Sequence, residues 1–90
     1  MNQGAIFIYE SEGKRSFWMP DTYFDLAIIF LDQNLKITYL EKKALAHPGR
    51  QEPPLIFRTK SVMAKYVVEL PADNPLVFSL EKGDQFKFLK

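Results

Sequence analysis

Six consecutive apolar residues, Leu26-Ala-Ile-Ile-Phe-Leu31, constrain this 90-residue chain more than any other feature. A strand with one wet face alternates apolar and polar side chains. A run without alternation must be covered on both faces. A short buried helix could carry the same residues. The β-branched Ile28 and Ile29, and the turn residues Asp32-Gln-Asn34 that follow, favour a strand. One domain is expected over residues 1–90. Chains of this length bury only about 60–65% of their unfolded surface, so most other apolar segments are needed as cover.

The flanking segments read as β-structure with little helix. Leu35, Ile37 and Tyr39 alternate with Lys36 and Thr38, the period of a half-buried strand forming a hairpin with the central run. Ala5 to Tyr9 reads as a strand and Lys14 to Met19 as its return, with Glu10-Ser-Glu-Gly13 as the turn. Pro20 suits a strand end, and Asp21 and Thr22 can bond to nearby amides and fix the next turn. Glu41 to Lys60 contains Pro48-Gly49 and Pro53-Pro54, which forbid a long helix; Leu55, Ile56 and Phe57 are its apolar anchor. Ala64 to Leu70 is a further strand, centred on Tyr66-Val-Val68. Asn74-Pro75 is an N-cap followed by proline at the first helical position, so Pro75 to Leu80 forms one short helix, with Gly83 beyond it. Gln85 to Leu89 is expected as a last strand.

Composition excludes several function classes. Twelve basic against eleven acidic residues leave a net charge of +1, which gives no electrostatic case for nucleic acid or an anionic membrane. Cysteine is absent, so disulfides, thiolate metal sites and cysteine nucleophiles are excluded. No run approaches the roughly 20 apolar residues that span a bilayer. The first ten residues lack the basic, apolar and cleavage regions of a secretion leader. The chain as written is cytoplasmic by default; a secreted or periplasmic domain whose leader has been removed would read the same. No phosphate-binding glycine loop, Gly-x-Ser-x-Gly elbow or dinucleotide fingerprint occurs, and no cofactor is expected.

Several segments together resemble the domain of unknown function 192 family: Gly4-Ala-Ile-Phe-Ile-Tyr9, Phe17-Trp18-Met19, Thr22, Ile28-Ile29-Phe30-Leu31-Asp32, Tyr66-Val67-Val68-Glu69-Leu70 and Gly83-Asp84. The most specific of these is Phe-Trp-Met followed by Thr and an apolar run ending in Asp. The resemblance implies a compact β-barrel or sandwich, roughly jelly-roll-like, found in bacteria and archaea, often behind a secretion or lipoprotein leader. It implies no activity. The family usually has Pro at the position of Asp25, Asp at that of Ala27 and Gly at that of Asp73. A site built on the family's Asp would therefore lack its carboxylate here. Family domains also usually begin with a further strand ahead of the Gly4 segment. Without it one sheet edge is left unpaired, open to a second copy, to the 41–60 loop or to an upstream strand.

Four residues at the start of the central segment form the leading candidate site: Trp18, Asp21, Tyr23 and Asp25. Aromatic faces beside carboxylates bind sugars, the ring packing on C–H faces while the carboxylate accepts hydroxyl hydrogen bonds. The same residues also build cores and turns, with Phe17 and Trp18 inside and Asp21 shaping the chain. A carboxylate pair drawn from Asp21, Asp25, Asp32 and Glu69 could serve glycoside hydrolysis, which needs two carboxyl groups about 5–10 Å apart. Surface acids, with Glu69 on a polar strand face, are the ordinary alternative. His47 has no metal-ligand spacing around it and reads as a solvated loop residue. Arg50, Arg58 and Lys60 could grip an anion or be solvated loop cations. The reading with most support is a non-enzymatic module that binds a small ligand, carbohydrate among the options, or a protein partner. A hydrolase using Asp21 or Asp25 with Glu69, and an assembly module forming a homodimer through its sheet edge, are the alternatives.

Overall fold

The computed structural model describes residues 4–87. They form one antiparallel sheet of four strands, β1 (Ala5–Arg15), β2 (Leu26–Leu31), β3 (Ile37–Ala44) and β4 (Val62–Pro71), in the order β1-β4-β2-β3. One short helix, α1 (Pro75–Ser79), follows β4. The chain is thus mainly β. The sheet does not close on itself; β1 and β3 are its two edges.

The apolar run occupies the most protected place available. β2 bonds to β3 on one side and β4 on the other, and Ala27 to Leu31 are fully buried. Cross-strand pairing shows how its two faces divide. Ile28 lies opposite Glu69 and Phe30 opposite Val67, whereas Ala27 lies opposite Leu70 and Ile29 opposite Val68. Ile28, Phe30 and Val67 pack with Met19, Ala44, Ile56, Phe17 and Phe57. Ile29, Leu31 and Val68 pack with Ile37, Leu80, Leu35 and Phe86. The first layer comes from the segments before β2 and before β4, the second from Leu35 in the β2–β3 turn and from Leu80 and Phe86 after α1. Neither layer is regular structure, which is how a short chain covers both faces of a sheet.

The first layer is tied by isolated bridges, Trp18 to Arg58 and Thr22 to His47. The amide of Met19 donates to the Phe57 carbonyl at 3.1 Å and that of Thr59 to the Phe17 carbonyl at 2.8 Å. Residues 41–60 therefore do not pair with the β1 edge. The first four are strand β3, and most of the rest cover one face of the sheet. Ile56 and Phe57 anchor this cover as expected, but Leu55 points outward at 80% exposure.

Two expected features are absent. Residues 5–15 are not a hairpin but one strand, paired with β4 and bulged between Ile8 and Gly13. Glu10 to Glu12 are the bulge rather than a reversing turn. Similarly, Ile37 and Tyr39 do not share a face. Phe30 pairs with Tyr39 and Leu31 with Ile37, so Thr38 is an extra residue. That single insertion sends Ile37 to one layer and Tyr39 to the other. Of the expected last strand, one bridge exists, Lys36 to Gln85; Phe88 and Leu89 lie outside the described residues. The helix forms as read. Asn74 Oδ1 accepts from the Leu76 amide at 2.9 Å, and Pro75 takes the first position.

Candidate functional site

The four candidate residues lie along the segment that leads into β2, and the structure separates them into two environments. Trp18 is 44% exposed, while its neighbours Phe17 and Met19 turn inward. The Arg50 and Arg58 guanidinium carbons lie 5.3 and 4.8 Å from the Trp18 ring centroid, within cation–π range. Asp21 holds a left-handed φ of 57° and pairs with Arg50 through Oδ2 at 2.7 Å. Arg58 lies 3.6 Å from Glu52 and donates to the Ile56 carbonyl. The third cation, Lys60, lies 4.4 Å from the Tyr39 ring centroid. These loop cations are exposed, and they are seated on aromatic rings rather than free in solvent.

Asp25 belongs to the second environment. Its Oδ1 accepts from the Ala46 amide at 2.8 Å and its carbonyl accepts from the Ala72 amide at 3.0 Å. One residue thus joins the entry to β2, the exit from β3 and the exit from β4. There it lines a cavity of about 650 Å³ with Phe24, Lys42, Lys43, Asp73 and Phe78. Pro71, Ala72 and Val77 complete the wall. Tyr23 lies next to this wall in sequence and is highly exposed. The cavity's residues come from four places in the chain, and sequence spacing gave no hint that they meet.

Lys42 and Lys43 reach this cavity because β3 is irregular. Leu26 pairs with Ala44 and Ile28 with Glu41, so two lysines oppose the single residue Ala27. Successive residues of a regular strand face opposite sides; a bulge relaxes that rule. The Lys42 ammonium reaches the Phe78 carbonyl at 3.4 Å. Neither lysine forms an ion pair among the described residues. Ala27, at the position where the resemblance expects a carboxylate, is fully buried opposite the bulge.

His47 is buried, not solvated, at 6% exposure. Its Nε2 lies 2.8 Å from the Pro54 carbonyl and its Nδ1 3.3 Å from that of Gly49. A neutral imidazole carries one N–H and can satisfy one of these acceptors; the imidazolium satisfies both. The Pro54 contact raises the histidine's pKa above the ordinary value, burial opposes it, and the Gly49 carbonyl and the Glu52 carboxylate add to the rise. Glu69 is not on a polar face. It shares the face of Ile28 and Val67, and burial raises its carboxyl pKa. Among the described residues no group of three or more His, Cys, Asp or Glu could hold a metal ion. No helix among them is long and apolar enough to cross a membrane.

The arrangement defines a small antiparallel β-domain, with an amphipathic cavity at one end of its sheet and an arginine–tryptophan patch on one cover. The chain belongs to the domain of unknown function 192 family, described as "Uncharacterized ACR", whose model matches residues 1–88. No curated protein and no solved structure matches it significantly.

Proposed function

We propose that this protein is a non-enzymatic binding domain whose cavity beside Asp25 receives a small organic ligand. The observation that carries this reading is the cavity itself. Its volume of about 650 Å³ falls within the range of ligand sites, roughly 300–1,000 Å³. Apolar walls surround a few charged groups, the usual composition of such sites. Of the four residues picked from the sequence, Asp25 forms part of the wall, and Tyr23 immediately precedes Phe24 of that wall in the chain. Trp18 and Asp21 lie outside the cavity wall, engaged with Arg50 and Arg58, and a sugar at the Trp18 ring would compete with these two arginines. Asp21 and Asp25 both hold chain segments in place, through Arg50 and the Ala46 amide. That occupation favours binding over hydrolysis by either of them with Glu69.

A filled cavity tests the proposal. Ala72 lines the wall, and only its backbone is needed for the bond to Asp25. Thermal shift across sugars, organic acids and amines should find stabilising ligands for the native chain. Ala72→Trp should stay folded and lose that response. Equal responses from both proteins would place binding elsewhere.

A second reading rests on a separate observation. Ile6 and Ile8 are 49% and 70% exposed on β1, an edge strand bonded only to β4 among the described residues. Such an edge suits assembly by strand addition, most simply with a second copy.

A further inference from the structure

The chemistry of the cavity narrows its ligand beyond the binding role on which this inference rests. We infer that the cavity selects an amphipathic anion, with its negative head at Lys42 and Lys43 and an apolar body against Phe24, Phe78 and Val77. Three observations carry this. First, the β3 bulge places two adjacent lysines in the wall of one cavity, which regular pairing would send to opposite faces. Two cationic side chains in one wall give an anionic head two possible partners, the Lys42 ammonium being placed beside the Phe78 carbonyl at 3.4 Å.

Second, the two acids of the wall form no ion pair with the two lysines. Asp25 is committed to the Ala46 amide, and neither Asp25 nor Asp73 lies within ion-pair distance of a lysine. Asp73 is exposed on the rim. Third, Phe24 and Phe78 present large exposed rings to the same space, 42% and 70% accessible, while Val77 closes it at 1%. Exposed aromatic surface beside cations that form no ion pair suits a carboxylate carried on an alkyl or aryl body. The cations orient the head, and apolar burial supplies most of the affinity.

Three probes of one length separate the possibilities: octanoate, octanol and octylammonium, each titrated into the native chain and followed by amide chemical shifts. Octanoate is expected to move the amides of residues 24–25, 42–43 and 72–78 and to bind at least about tenfold tighter than octanol. Lys42→Gln with Lys43→Gln should erase that preference and leave octanol binding unchanged, a result that loss of folding would not produce. Equal binding of octanoate and octanol at the cavity would overturn the anionic selection and leave a binding cavity in place. Tighter binding of octylammonium would do the same and assign the selectivity to Asp25 and Asp73. No shift at the cavity with any probe would overturn this inference, and a blank thermal-shift panel alongside would remove the binding role as well.

Discussion

Phe30 illustrates how much rests on single side chains here. Its ring stands 5.9 Å from Phe17 and 5.8 Å from Tyr39, and Phe17 is 5.3 Å from Phe7. These four rings cross the sheet from β1 to β3 through the cover layer. Phe30→Ala removes the fully buried member and should cost about 3–5 kcal/mol. A denaturant melt showing less than about 1 kcal/mol would contradict its placement. His47 gives a pH-dependent counterpart. A histidine whose pKa is raised on folding stabilises the fold fully below the unfolded value, and that contribution is lost as pH rises through the folded one. The groups around it are the Pro54 and Gly49 carbonyls and the Glu52 carboxylate, all favouring the proton. An NMR titration of the His47 ring should give a midpoint above 6.5, with thermal stability falling across the same window. A midpoint at or below 6.5 would mean that the loop does not hold both ring nitrogens against carbonyls.

The elements show which sequence signals survive folding. The β2 run, the Asn74-Pro75 cap and the Asp32 turn were all legible, because each rests on local chemistry or on plain burial. Asp32 Oδ1 accepts from the amides of Asn34 and Lys36 at 2.8 and 3.0 Å, closing the β2–β3 connection. Asp32→Ala should therefore cost about 1–2 kcal/mol by thermal or chemical melt, and Asp32→Asn less. What escaped the sequence was each bulge. Glu10 to Glu12 resemble a turn in composition, yet the strand continues past them because β4 is long enough to accept both halves. Thr38 looks like an ordinary polar position of an alternating strand, and its insertion reverses the facing of the residues before it. Lys42 and Lys43 carry no sequence signal that would place both in one wall. A bulge depends on the partner strand's register, which no local pattern encodes. The candidate site was legible only as far as Asp25 for this reason. The rest of the cavity wall is assembled by register and chain crossing. The burial of His47 escaped similarly, since its partners are carbonyls whose position depends on the loop path.

The whole molecule balances coverage against exposure. Both faces of β2 are protected, but among the described residues the apolar cover stops short of β1, where Ile6, Phe7 and Ile8 stay exposed on an edge. The 41–60 segment is spent on the opposite task, covering the Ile28 and Phe30 face. Light scattering should therefore show self-association as concentration rises, and Ile6→Lys with Ile8→Lys should return the chain to a monomer. A native chain that stays monomeric at high concentration would rule out this edge as an assembly surface. No residue of β1 lines the cavity, which sits among the segment entering β2 and those leaving β3 and β4, so ligand binding and association can be tested separately. The proposed recognition of a ligand by the Asp25 cavity is tested most directly by amide chemical-shift mapping of the native chain with the ligand class found by thermal shift. Shifts should concentrate at residues 24–25, 42–43 and 71–78. Shifts confined to Trp18, Arg50 and Arg58, with the cavity unmoved, would contradict it.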